Sequence, residues 1–348
     1  MTPTQPRELA AVVWELTLAC NMRCVHCGSS AGVARGDELS PDEALAVARD
    51  LVAMRANRVT LMGGEPFLRA DWARIARTLA DGGVIVEILT NGLLVDAAMA
   101  RAIMDAGVHS VSLSVDGLER THDGLRARRG SFRAALDAVR HLRAAGLPVG
   151  AVTQVNRRNL DELEGLRQAL IGAGVQGWQL QLSEAMGRCR DDLMIAPADL
   201  VVIERFVVEA AADGSLWTYA ADCIGYMSRD EPRLRTQADG RHGVFLGCQA
   251  GIRVLGITSH GHVRACLSLP DTFDDGDLRE RPLADIWRDP GAFAFNRGPR
   301  DLTGNCAGCP FGKVCRGGCS SLAWASTGRL GDQPYCLFRI RAGHRDMT

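Results

Sequence analysis

A parallel α/β fold closing part of a barrel, with a small cysteine-rich domain behind it, is predicted by three observations. Apolar runs of strand length alternate with amphipathic runs of helix length from residue 12 to about residue 182, the pattern of βα units laid around a parallel sheet. One helix start is written out in full as Ser40-Pro41-Asp42-Glu43, a capping box with proline at the first helical position. After residue 247 the alternation stops and cysteines take over, at positions 248, 266, 306, 309, 315, 319 and 336.

The elements follow in order. Val12-Val13-Trp14-Glu15-Leu16-Thr17-Leu18 is the first strand, starting near Ala11, and the capping box opens a helix reaching about Arg55. Strands are expected at 58–62, 84–90, 110–115, 148–155 and 177–182, with helices near 71–81, 96–106, 131–145 and 160–173. Six strands and five helices make an incomplete barrel with one side left open. Residues 183–247 read as a connecting segment with one helix at 198–213, behind Pro197. The expected division is therefore 1–182 for the barrel, 183–247 for the connecting or substrate segment and 248–348 for the cysteine-rich domain.

Composition narrows the class. With 348 residues, 47% of them hydrophobic, and a net charge of −1, the chain can bury sizeable cores and has no excess that seeks polyanions; nucleic acid is not an expected partner. Met1 to Glu8 lack a basic stretch followed by an apolar one, and no segment holds about eighteen unbroken apolar residues. The expectation is a cytoplasmic protein without a membrane span. Twelve cysteines in such a chain point to metal ligation in a reducing compartment rather than to disulfides. Lys313 is the only lysine and sits among cysteines, which argues against a pyridoxal-phosphate Schiff base.

Cys20, Cys24 and Cys27 read C-x3-C-x2-C directly after the first strand. Three thiolates in one loop can hold an iron–sulfur cluster while leaving one iron without a protein ligand. A structural zinc site closes with four ligands, and His26 as the fourth is the competing reading. Gly63-Gly64-Glu65-Pro66 follows the second strand: glycines let backbone approach closely and a carboxylate offsets a cation, although an ordinary strand-to-turn junction uses the same residues. In parallel barrels chemistry gathers at the carboxyl ends of strands, where both motifs lie. Also there are Thr90-Asn91, Ser112, Ser114, Asp116, Gln154, Asn156, Gln179 and Gln181, able to hold a ribose or carboxylate or to make local turn hydrogen bonds.

The cysteine loop followed by Gly-Gly-Glu-Pro resembles the radical S-adenosylmethionine (SAM) superfamily. The resemblance implies a partial (β/α)6 barrel and a 4Fe-4S cluster whose unique iron is chelated by the amino and carboxylate groups of SAM. Its reduction would cleave SAM to a 5′-deoxyadenosyl radical that abstracts hydrogen from an unactivated carbon. It also implies that Cys20, Cys24 and Cys27 are cluster ligands and that Gly63, Gly64 and Glu65 meet the methionine ammonium. Asn91, Ser114, Asp116 and Gln154 become candidate SAM contacts. The backbone at His26 meets adenine, its side chain not being required.

From Cys248 twelve residues lead to Gly261 and four more to Cys266; then come Cys306-x2-Cys309-x5-Cys315-x3-Cys319 and, later, Cys336. This spacing resembles the SPASM domain, an extension with two auxiliary 4Fe-4S clusters; paired zinc sites are the competing reading. The resemblance implies that Cys306, Cys309, Cys315 and Cys336 hold one cluster and that Cys248, Cys266 and Cys319 hold the other, three clusters in all. Some relatives supply a further cysteine six positions before the first; here His242 stands there, and His242, Cys223, a substrate group or water are the options for that corner.

Cys189 and Cys223 fall outside both motifs. Either suits a buried apolar site; the sharper expectation is Cys223 as a hydrogen-atom donor, with Tyr219, Asp222 and Tyr226 around it. Glu184, just past the last strand of the barrel, is expected to be a general base or substrate contact, or else a helix-start carboxylate. Arg126-Ala127-Arg128-Arg129 reads as solvated surface, with contact to an acidic peptide or, by the resemblance, to the SAM carboxylate as the alternative.

Three functions follow. The first is modification of a peptide or protein by crosslink, thioether, epimerisation or oxidation, with auxiliary clusters carrying electrons and a reductant such as flavodoxin or ferredoxin. The second is oxidation or rearrangement of a small biosynthetic intermediate. The third is a non-catalytic electron-transfer protein, which has no use for a SAM site. With the first strand near Ala11, no leader-binding domain is expected ahead of the barrel; a separate partner protein or the 183–247 segment would take that role.

Overall fold

The computed structural model describes residues 8–345; apart from Glu8, the segment read for a targeting signal lies outside the described residues. Six parallel strands form where they were expected: β1 (Ala11–Glu15), β2 (Arg58–Met62), β3 (Ile85–Thr90), β4 (Ser110–Ser114), β5 (Val149–Val155) and β6 (Gly177–Leu182). Between them run α1 (Pro41–Ala53), α2 (Trp72–Asp81), α3 (Ala97–Asp105), α4 (Glu119–Arg126), α5 (Ser131–Ala144) and α6 (Leu163–Ala173). The capping box at α1 is made: the Ser40 hydroxyl accepts from Glu43 N–H while the Glu43 carboxylate accepts from Ser40 N–H, pairing two otherwise orphaned donors.

The sheet is larger than the six-strand reading. Beyond α7 (Leu200–Asp213), β7 (Trp217–Ala220) adds in parallel beside β6, and β8 (Val254–Ile257) adds in parallel on the free side of β1. With β9 (His262–Arg264) and β10 (Asp274–Asp277) antiparallel at that edge, the order is β10-β9-β8-β1-β2-β3-β4-β5-β6-β7. Both additions are four residues long, and β8 contains Gly256, so neither carries a run from which periodicity can be read. The polar helix α4, Glu-Arg-Thr-His-Asp-Gly-Leu-Arg, escapes the sequence pattern for the same reason.

Burial alternates along the strands with the period of two that a pleat imposes. Val86, Ile88, Val111, Leu113, Trp178 and Leu180 are buried on the helix side, where Trp178 meets Phe206 of α7 edge-on with centroids 5.7 Å apart. The opposite face carries Glu87, Ser112, Ser114, Gln154, Gln179 and Gln181, all half-buried. A polar inner face on a parallel sheet is costly unless something polar is to meet it. No helix among the described residues is long and apolar enough to cross a membrane.

Candidate metal and cofactor centres

The chain leaving β1 is held almost bond by bond. Leu16 N–H donates to Met62 O at 2.7 Å, Leu18 N–H to the Glu38 carboxylate at 2.7 Å, and Gly32 N–H returns to Leu18 O at 2.7 Å. Further on, the Arg188 guanidinium donates to Cys24 O and Ala31 O, both at 2.9 Å. Cys20, Cys24 and Cys27 thus project from a loop braced from both sides.

The glycine pair lies against this loop. Gly64 N–H donates to Thr17 O at 2.7 Å and Glu65 N–H to Ala19 O at 2.8 Å. A Cβ at Gly63 would stand 2.4 Å from Thr17 O, and one at Gly64 would stand 2.3 Å from Ala19 O, so only glycine allows the two segments to touch. Glu65 is fully buried and accepts from the Thr90 hydroxyl at 2.8 Å and from Asn91 N–H at 3.0 Å. Burial pushes its carboxyl up to about 7 against these hydrogen bonds. The Asn91 amide donates to Asn21 Oδ1 at 2.7 Å, tying the end of β3 to the cysteine loop.

Two expectations are corrected beside Cys24. Arg126 is not solvated surface: its side chain is 12% exposed and its guanidinium pairs with Asp116 at 2.6 Å while donating to Cys24 Sγ at 3.8 Å. Nor is the His26 side chain dispensable, since it is buried with Nε2 2.8 Å from Asp116 Oδ2. Asp116 also accepts from Gln154 N–H at 2.9 Å. Burial opposes its ionisation, yet Arg126 and His26 outweigh that and hold the carboxyl well below the usual range. The same burial, with Arg126 nearby, pulls His122 down to about 4. Asp116 is therefore a buried hub that braces the cysteine loop, with its oxygens spent on protein partners. Ser114 ends β4 on the inner face that Gln154 shares.

The second cysteine group separates into two. Cys306, Cys309, Cys315 and Cys336 line one small hollow, walled by Phe311 and Phe338. Cys248, Cys266 and Cys319 pack against the main core, Cys319 also touching the group of Cys315 and Cys336, and Cys248 adds to the burial that raises Cys266 and Cys319. Their neighbours are Glu184, which raises Cys266 and Cys319, and Cys223, which raises Cys319. His242 is not with them: it is exposed, with its ring 3.0 Å from the Thr236 hydroxyl.

Cys223 is buried, accepts from Leu182 N–H at 3.2 Å, and is pushed up to about 12 by burial and then by Glu184. Of its expected companions, Tyr219 stacks on Trp217 with centroids 4.3 Å apart, and the Tyr226 hydroxyl bridges Asp222 O and Cys319 N–H. Cys189 packs with Leu125, Leu193 and Val25 of the first cysteine loop. Burial pushes the Glu184 carboxyl up to about 7, the Ser321 hydroxyl partly offsetting it.

The spacing of the sulfurs distinguishes a cluster from a single ion. Tetrahedral zinc with Zn–S of about 2.3 Å draws its sulfurs to about 3.8 Å apart. Among the described residues, the group placing three ligand atoms within 4.8 Å of one another is His260, His262 and Asp274, and Asp274 is already paired with Arg264 at 2.6 Å. No cysteine trio among the described residues has its sulfurs drawn within 4.8 Å of one another, and thiolates are the donors that iron–sulfur clusters take. Glu38, Arg188, Arg126 and Ser321 escaped the sequence reading because each serves the loop or the trios from far along the chain, where no spacing signals it.

The sequence profile of the Radical SAM superfamily matches residues 14–170, and that of an iron–sulfur cluster-binding domain, SPASM, matches residues 248–310. An AdoMet-dependent heme synthase of Methanosarcina barkeri is 31% identical, the match covering 94% of this chain and 96% of that protein. A PqqA peptide cyclase of Granulibacter bethesdensis is 26% identical over 91% of this chain and 83% of its own. In fold, the chain is similar to Streptococcus suis SuiB bound to precursor peptide SuiA, with TM-score 0.76, 16% identity, and coverage of 95% and 76% of the two chains.

Proposed function

We propose, from the premise that the chain belongs to the radical SAM superfamily and carries a SPASM iron–sulfur domain, that it oxidises or crosslinks a peptide or protein by a radical route. A 4Fe-4S centre with SAM bound supplies the reductive cleavage that makes a 5′-deoxyadenosyl radical able to abstract hydrogen from carbon. Cys20, Cys24 and Cys27 would hold that centre. Gly63 and Gly64 offer bare backbone to the methionine end, and Asp116, with Arg126 and His26, keeps the Cys24–Cys27 turn in place. Ser114 and Gln154 are the side chains we assign to SAM, whereas Asn91 and Asp116 position the loop. Cys306, Cys309, Cys315 and Cys336 would hold one auxiliary cluster and Cys248, Cys266 and Cys319 another, giving an electron leaving the substrate somewhere to go.

The observation that carries the reaction class is the Gly63-Gly64 cradle seated on the backbone that leads into Cys20; an electron carrier needs no such contact. A peptide substrate is supported by the inner face of amides and hydroxyls, Ser112, Ser114, Gln154, Gln179 and Gln181, which pair with backbone amides, and by likeness to a peptide cyclase. A second reading, a propionate-bearing tetrapyrrole, is favoured by the match to an AdoMet-dependent heme synthase along nearly all of both chains.

The test is 5′-deoxyadenosine formation by anaerobically reconstituted protein given SAM and dithionite, or reduced flavodoxin or ferredoxin. Stimulation by a deuterated peptide, with label passing into 5′-deoxyadenosine, supports the first reading. Stimulation by an iron porphyrin alone selects the second. No deoxyadenosine under any condition ends both.

A further inference from the structure

The trio Cys248, Cys266 and Cys319 has three thiolates, and with His242 turned to Thr236 on the surface its fourth corner must be sought inside. Glu184 stands there. It follows β6 by two residues, at the carboxyl end of the parallel sheet. Its Oε1 accepts from the Ser321 hydroxyl at 3.0 Å, and that same hydroxyl lies 3.2 Å from Cys319 Sγ. Its Oε2 is shut off from solvent and has no hydrogen-bond partner among the described residues. A carboxylate oxygen buried in this way needs a cation or a metal to offset its lost hydration.

The Ser321 hydroxyl shared between Glu184 Oε1 and Cys319 Sγ places the carboxylate beside the trio. Cys223, the other internal option, gives its sulfur to Leu182 N–H.

We propose that Glu184 is the fourth protein donor to the cluster held by Cys248, Cys266 and Cys319, binding iron through Oε2 while Ser321 holds Oε1. This rests on the reading that those three cysteines hold a cluster. The carboxylate then serves iron and is not the general base that its place after the barrel suggested. An oxygen donor in a set of thiolates makes one iron distinct from the rest and easier to lose.

The experiment uses the full chain, reconstituted anaerobically with iron and sulfide, and reads iron content after ferricyanide together with EPR spectra of the ferricyanide-oxidised protein, where a three-iron centre shows, and of the dithionite-reduced protein, where four-iron centres show. Glu184→Ala and the isosteric Glu184→Gln are expected to lose about one iron per chain and to gain a three-iron signal. Glu184→Cys should keep its iron and shift the signal of one centre, and Cys223→Ala should match the parent. Circular dichroism of the iron-free chains guards against a folding defect. Parent-like iron and spectra in all three Glu184 variants would overturn the proposal, as would iron loss in Cys223→Ala instead. The triple serine variant of Cys248, Cys266 and Cys319 should lose about four irons. If it loses none, the cluster reading itself fails and the proposal with it; if it loses them while the Glu184 variants do not, the proposal alone fails.

Discussion

Replacing Arg126 with glutamine would strand Asp116. The guanidinium is 2.6 Å from a carboxylate with no exposed surface, and removing one member of a buried ion pair costs about 3–5 kcal/mol because the other charge stays buried. His26 at 2.8 Å and Gln154 N–H at 2.9 Å remain to share the charge, which argues for the lower end, about 3 kcal/mol. For a chain longer than 150–250 residues each kcal/mol moves the melting point by roughly 2–4 °C or less, so calorimetry of the iron-free, reduced protein at neutral pH should show a fall of roughly 6–12 °C at most. Asp116→Asn combined with Arg126→Gln should recover part of it, because the stranded charge is gone. The loss should be present above the ordinary aspartate range, since a depressed carboxyl contributes stability there and loses it as pH falls. A change under about 1 kcal/mol, or a double variant as unstable as the sum of the singles, would refute the account of Asp116 as a charge-paired hub. Because Arg126 also donates to Cys24 Sγ, and hydrogen bonds to sulfur set cluster potentials, Arg126→Gln should lower the midpoint potential of the reconstituted amino-terminal centre.

Glu65, held at about 7 against an ordinary 4.5, favours its protonated form in the fold, so its own contribution to the stability of the iron-free protein is full below 4.5 and falls by on the order of 3 kcal/mol as pH rises to 7. Denaturant titrations should show the stability difference between the parent and Glu65→Gln changing by about that amount across the range; a constant difference would refute it. In Gly64→Ala the new methyl meets Ala19 O at 2.3 Å; such overpacking costs about 1–3 kcal/mol, and equilibrium dialysis should show weakened SAM binding by reconstituted protein. Cys309→Ser should lower iron content, since Cys309 lines the hollow, whereas Cys189→Ser, at a site packed among Leu125 and Leu193, should leave it unchanged; equal iron in both would undo the division of the cysteines.

Much of this was legible in residue order. Long strands such as β5, seven residues with strict alternation of burial, announce themselves, as does the α1 capping box. The cysteine spacings and Gly63-Gly64 are local signals, because the chemistry they suggest needs neighbours in one loop. What could not be read are relations that folding creates. Trp217-Thr-Tyr-Ala and Val-Leu-Gly-Ile favour strands by residue type, yet each is only four residues long and becomes a strand of this sheet because an edge is available to it, a tertiary fact that so short a run cannot signal. Arg126 sits in a run of arginines that looks like surface, and nothing nearby marks it out; its partner Asp116 lies ten residues earlier and Cys24 lies 102 residues earlier. Ser321 likewise meets Glu184 across 137 residues.

The parallel pairing of β8 with β1, Val12 opposite Leu255 and Trp14 opposite Ile257, has a mechanical consequence. The strand that delivers Cys20 has a neighbour from the carboxyl-terminal third of the chain on one flank and β2 on the other, so the two cysteine regions are woven into one fabric instead of hinged. The spacing between the two regions is then set by a backbone ladder. Trimming the protein after residue 247 would leave the most densely apolar strand bare along one side, inviting sticky self-association where a tidy minimal core was wanted.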